Sequence, residues 1–122
     1  MVGVLGTAVS ALQAQSQRMA ASANNIANAS TPGYKALQTT FTAQPLSRGG
    51  GVLAHVSAAP VSQSSGGFAL LAESSSDSAE GNNVDIATEF VTQIHARSAY
   101  SAAVKLIEVQ EELSKELLNI KS

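Results

Sequence analysis

Side chains able to do acid–base, nucleophilic or metal chemistry are few in this sequence, and their spacing suits none of these. His55 and His95 are the only histidines and lie 40 residues apart, outside any metal-ligand spacing. His95 follows Ile94 in a helical pattern and reads as a surface or packing residue. Asp77 and Asp85 lack the ligand periodicity of a calcium loop. The serine-rich run at 74–78 reads as a linker, and Gly49–Gly51 lacks the Lys-Ser/Thr that completes a phosphate-binding loop. An enzyme is therefore not expected, and no catalytic, cofactor-binding or metal-ligating residue is assigned. The residues with something to offer are amides. Asn24, Asn25 and Asn28 fall within ANNIANASTPGYKA, residues 23–36. Each amide brings two donors and two acceptor lone pairs without the cost of burying a charge. Such groups can cross-link packed helices or hold a turn against a neighbour.

These asparagines sit where the last turns of a helix are predicted, although each costs about half a kcal/mol relative to alanine there. Asn24 and Asn28 are one turn apart on one face, with Asn25 beside them. Thr31-Pro32-Gly33-Tyr34 then fits a type II turn, in which Pro32 presets φ and Gly33 takes the positive φ of the next position. The stretch predicts a helix terminus with an amide face, followed by a fixed chain reversal.

The helix that positions them starts near the N-terminus. Val2, Leu5, Val9, Leu12, Ser16, Met19, Ala23 and Ile26 repeat at alternating steps of three and four, a heptad seam with only Ser16 polar. Gly3 and Gly6 weaken the first turn, so the secure helix is expected from Leu5 to Ala29. The opposite face carries Thr7, Ser10, Ala11, Ala14, Gln17, Arg18, Ala21 and the three asparagines. Arg18 is the only charge before Lys35. A solvated face normally carries lysine and glutamate, so this one is expected to be covered.

Residues 36–82 hold glycine and serine clusters around VLAHV (52–56) and FALLA (68–72). Two short strands are expected there, with a hairpin around Pro60–Gly67. Residues 84–121 predict one long helix, capped by Asn83 or Asp85. One apolar stripe holds Ile86, Phe90, Ile94, Tyr100, Val104 and Ile107. The other holds Ala102, Leu106, Val109, Leu113, Leu117 and Ile120. One partner helix can cover one stripe, not both. Glu111 and Lys115 are spaced to pair. The expected architecture is mainly α: residues 1–35 and 83–122 form an antiparallel, coiled-coil-like hairpin of long terminal helices, with a small irregular or β insert at 36–82.

Bulk properties narrow the function. The formal charge of −2 argues against a nucleic-acid partner. Aromatic residues make up 4% and charged residues 13%, too few large side chains for a thick core and too few charges for an ordinary surface. Without cysteine, neither a disulfide framework nor a thiolate metal site is available. No basic n-region precedes the first apolar residues and no apolar run spans a bilayer, so neither a cleavable secretory signal nor direct membrane insertion is expected. A membrane-surface role is disfavoured by the single basic side chain before Lys35 and the lack of an aromatic anchor before Tyr34.

ANNIANASTPGYKA resembles the N-terminal signature of bacterial flagellar rod and hook proteins, ANN-[IL]-AN-x-x-T-x-GY-[KR]. The stretch NNVDIATEFVTQIHARSAYSAAVKLIEVQEELSKELLNI is similar to the closing helix of that family, and the two together cover about half the chain in the family's order. Members usually read Gln-Arg-x-Tyr-x-x-Asn across the middle of that helix. Aligned on Tyr100, this chain has its arginine displaced to Arg97, Ser98 in the arginine's place, and Ala103 where the asparagine belongs. Its length is similar to that of proximal-rod members, and the spacing from Gly33-Tyr34-Lys35 to Phe41 looks like the innermost rod subunit. The resemblance implies a rod subunit exported unfolded through the flagellar type III apparatus, without signal cleavage. It also implies helical assembly with itself and other rod subunits into the periplasmic drive shaft, through an inner layer of terminal helices. On that reading the assembly interface comprises Leu5, Val9, Leu12, Met19 and Ile26 of the first helix. Phe90, Ile94, Tyr100, Leu106, Val109, Leu113 and Leu117 contribute from the second, while Asn24, Asn25, Asn28, Pro32, Gly33 and Tyr34 set the turn and lateral contacts. A soluble helical-hairpin adaptor that binds one partner without polymerising shares the seam and turn, but should carry charge on the back of its first helix.

Overall fold

The computed structural model describes residues 2–45, 49–59 and 82–120. The order is α1 (Val2–Ala27), β1 (Leu37–Gln44), β2 (Gly51–Ala58) and α2 (Ile86–Ile120). The helices run antiparallel, and the two-stranded antiparallel hairpin lies against α1. At 1.5 Å per residue α1 is about 39 Å long and α2 about 52 Å. Residues 111–120 of α2 extend beyond the first turn of α1 and are exposed throughout.

α1 starts earlier than expected. Gly3 and Gly6 sit inside the helix, where Thr7 donates its hydroxyl to the Gly3 carbonyl at 2.8 Å. The helix ends at Ala27, two residues short of the expected end, and Asn28 to Gly33 turn the chain. The predicted Thr31–Tyr34 reversal is present: Tyr34 N–H donates to the Thr31 carbonyl at 3.3 Å, and Gly33 has φ 72°, the positive value a type II turn needs there. Of the two candidate caps for α2, Asp85 does the work. Its carboxylate accepts from Ala87 N–H at 3.1 Å and from the Thr88 hydroxyl at 2.6 Å.

The described hairpin includes one strand that was not expected. VLAHV does lie in a strand, but β2 pairs with Leu37–Gln44, in the register Phe41↔Ala54. LQTTFTAQ has the β-branched and aromatic content of a strand, and Gly49, Gly50 and Gly51, all at positive φ, lead into β2. FALLA and the hairpin expected around Pro60–Gly67 lie outside the described residues. The hairpin is held to α1 by the Arg18 guanidinium, 5.6 Å from the centre of the Phe41 ring, and by Val52 N–H donating to Ser10 Oγ at 3.1 Å. Gly51 fits here because its φ is +112° and an added Cβ would collide with the Ser10 side chain.

The core is made of small residues. Among the described residues the buried apolar side chains are Ala8, Ala14, Ala21, Ala96 and Ala103, joined by Ser22 and Asn25. Alanines let two helices approach closely, but each removes little apolar surface from water, at about 25 cal/mol per Å². By contrast, seventeen large apolar side chains among the described residues are exposed. The expected Glu111–Lys115 pair is not formed; Lys105 and Glu108 pair instead at 3.6 Å, on the open surface, where such a contact contributes little.

Candidate functional site

The two faces of α1 have separate jobs. Its small-residue face, with Ala14 2% exposed, is turned toward α2 and the hairpin. Its heptad seam lies at and beyond the edge of that contact: Leu5 and Val9 are exposed, Val9 at 41%, and Leu12, Met19 and Ile26 are half-buried. The back face expected to be covered from its lack of charge is covered within the chain in part: Ala14, Ala21 and Asn25 are buried, whereas Thr7, Gln17 and Asn24 are exposed.

On α2, Phe90 and Ile94 are exposed, Ile94 at 68%, and Tyr100 is at the margin of exposure. Met19 and Ala23 face Phe90 and Ile94 across a surface groove of about 330 Å³, and Leu12 shares another with Tyr100. Leu106, Val109, Leu113 and Leu117 are all exposed. Of these, Leu106 borders an apolar groove with Val4, Ala8 and Ala103, whereas Leu113 and Leu117 lie on the end of α2 that projects past α1. The second stripe therefore has no cover along its length.

The asparagines split into different roles. Asn24 is exposed and donates to its own helix at the Ala20 carbonyl, 3.0 Å away. Asn28 donates to the Asn24 carbonyl at 2.9 Å and accepts from the Thr31 hydroxyl at 3.3 Å, which closes the helix end over the turn. Asn25 alone is buried, at 0% exposure. Its Nδ2 donates to the Leu37 carbonyl at 2.8 Å and to Glu89 Oε1 at 2.7 Å. Its Oδ1 accepts from Leu37 N–H at 2.7 Å and from the Tyr34 hydroxyl at 3.2 Å. Every donor and acceptor site of that amide is used, as a buried polar group requires. Pro32 and Gly33 are exposed in the turn, which brings Tyr34 back to Asn25.

Four further residues complete this junction, and of these only Asn83 was singled out from sequence. Ser22 donates to the Glu89 carbonyl at 3.1 Å. Glu89 supplies the carboxylate for Asn25. Asn82 Nδ2 lies 2.7, 2.9 and 3.0 Å from the carbonyls of Asn28, Ala29 and Thr31, tying the segment before α2 to the turn that follows α1. Asn83, an expected helix cap, instead accepts from Ala36 N–H at 2.7 Å. For Asn82 and Asn83 the signal was the Asn-Asn-Val-Asp run itself, which reads from sequence only as a helix start. Asp85, at the same junction, has its pKa held below the ordinary value of 3.8, chiefly by the Thr88 hydroxyl and then by Ala87 N–H.

Among the described residues, no group of three potential ligands could hold a metal ion, and no helix is long and apolar enough to cross a membrane. The arrangement is built for packing: a polar junction at one end of a slim alanine-cored hairpin, and two long apolar stripes outside.

Comparison with known proteins agrees with that description. The family model described as flagella basal body rod protein matches residues 5–35, which hold the seam and the asparagine turn. The model described as flagellar basal body rod FlgEFG protein C-terminal matches residues 75–120, which include the junction's second half and α2. The flagellar hook protein FlgE of Rhizobium meliloti (strain 1021) is 45% identical over 51 residues, 42% of this chain and 13% of that protein. The matched stretch is thus a small part of that hook protein's length. The chain belongs to the flagellar basal-body rod and hook family.

Proposed function

We propose that the protein is a structural subunit of the flagellar rod, the axial shaft of the basal body, most like a short proximal-rod member. It assembles helically with copies of itself and with other rod subunits. The observation that carries this reading is the inversion of the hairpin: alanines face inward, while Leu5, Val9, Leu106, Val109, Leu113 and Leu117 face outward. A free-standing helical hairpin would place its large side chains between the helices, where they exclude the most water. Here that gain is left for neighbours, and exposed apolar stripes of this extent mark interaction surfaces. Torque then passes through many shared apolar contacts, so no single weak contact bears the load.

Delivery to the periplasmic part of the basal body follows the family's route, through the flagellar type III export apparatus without a cleaved signal. A slim alanine core suits passage in the unfolded state. Before assembly the monomer is partly disordered, because its small core offsets little of the ordering entropy. Amide exchange on the isolated chain tests this point, and uniform strong protection would contradict it. The decisive experiment is electron microscopy of basal bodies from a deletion strain. Loss of the shaft with an intact membrane ring is the expected image, and a complete shaft overturns the assignment.

A further inference from the structure

The helix–helix contact does not by itself define how far one helix is slid along the other. Ser22 bonds the Glu89 carbonyl, and Ala8 shares a groove with Ala103. The step of 14 residues from Ala8 to Ser22 equals the step from Ala103 back to Glu89, so one antiparallel register runs the length of the contact. In this register Ala96 lies level with Ala14 and Gln15. The buried alanines, however, repeat: Ala14 and Ala21 are seven residues apart on α1, and Ala96 and Ala103 are seven apart on α2. Sliding α2 by one heptad, about 10 Å, brings Ala96 level with Ala21 and Ala103 level with Ala14. Small residues again meet small residues. Apolar packing alone is therefore nearly indifferent between the two arrangements.

The polar contacts are not. In the slid arrangement Glu89 passes beyond the end of α1, Asn25 loses its carboxylate partner, and Asn82 leaves the Asn28, Ala29 and Thr31 carbonyls. Asn25 would be left with an unpartnered amide hydrogen in a fully buried position, which the interior tolerates poorly. We infer that Glu89 and Asn82, acting on Asn25 and on the turn that follows α1, are register-setting residues: they select one of two packings that the alanine faces accept. This is the use of buried polar groups best attested in helix pairs. The register decides how much of α2 projects past α1, and so where the Val109–Leu113–Leu117 stripe stands relative to the Leu5–Val9–Leu12 seam. Its bearing on assembly rests on the rod reading, but the register itself does not.

Disulfide trapping in the isolated full-length chain separates the two, because it reads register without assembly. The chain has no native cysteine, so paired replacements report cleanly. Ala8→Cys with Ala103→Cys reports the observed register, and Ala21→Cys with Ala96→Cys reports the slid one. In the otherwise native chain the first pair should oxidise and the second should not. Adding Asn82→Ala and Glu89→Ala together should raise the second pair's yield at least several-fold and lower the first pair's. Glu89→Gln, which keeps an oxygen for the Asn25 amide, should leave the native pattern in place. The inference is overturned if the double variant retains the native pattern. It is equally overturned if neither pair oxidises and far-ultraviolet circular dichroism shows the helices gone, since the junction would then hold the fold without choosing a register. Oxidation of both pairs in the native background also overturns it.

Discussion

Asn25 binds Leu37 as one peptide group binds another: its amide donates to the Leu37 carbonyl at 2.8 Å and accepts the Leu37 N–H at 2.7 Å. The pair ties the last turn of α1 to the first residue of β1, and the same amide reaches Glu89 on α2. Asn25→Ala would leave the two Leu37 main-chain groups without this partner, at a cost of about 3 kcal/mol. Urea denaturation should show the midpoint falling accordingly. Asn25→Asp should be at least as damaging at neutral pH, because two carboxylates would then face each other, and should recover part of the loss on acidification. An unchanged midpoint in both variants would count against the junction as the fold's anchor.

The cap at Asp85 predicts a pH dependence of stability. Its folded pKa lies below the unfolded value, because the Thr88 hydroxyl and Ala87 N–H bind the charged form. A carboxylate of this kind stabilises the fold above its unfolded pKa, and the contribution disappears as pH falls through the lower, folded value. Thermal melts should therefore decline from about pH 4 downward, and Asp85→Asn should flatten that decline while lowering the melting temperature at pH 7. Parallel curves for the two proteins would refute the assignment.

Gly51 and Ser10 predict a substitution that a second substitution cannot repair. Gly51→Ala places a Cβ against the Ser10 side chain and also forces alanine to φ +112°, a conformation that L residues rarely adopt. Ser10→Gly makes room but leaves the backbone strain and also removes the hydroxyl that accepts the Val52 N–H. The double variant should stay destabilised in thermal melts; full recovery would mean that collision alone is the cost.

Leu12 tests the outward seam. Leu12→Asp should leave the monomer's far-ultraviolet circular dichroism largely unchanged, since the side chain is only half-buried in the isolated chain. In an assembled shaft the same carboxylate would be desolvated without a partner, at a cost of several kcal/mol, so swimming in soft agar should be abolished. Normal motility would show that the seam is not an interface. Val9→Asp, at a more exposed position, should behave alike.

Local patterns in the sequence were enough for the two long helices, the neutral back of α1, the Thr31–Tyr34 turn, a capped start for α2 and the family likeness. Each depends on residues within a turn or two of one another, where propensity and periodicity act. Three things were decided only by the tertiary structure. Periodicity defines two faces of α1 but cannot say which turns inward; here the alanine face does, because small residues let α2 and the hairpin approach together. LQTTFTAQ became a strand only by pairing with VLAHV, and glycines 49–51 were already in view without saying which segment they joined. Of three similar asparagines, Asn25 became the buried one because Leu37 and Glu89 reach it from 12 and 64 residues away. Hydrogen bonds over such separations leave no periodic trace in a single chain, since they depend on where distant segments come to rest.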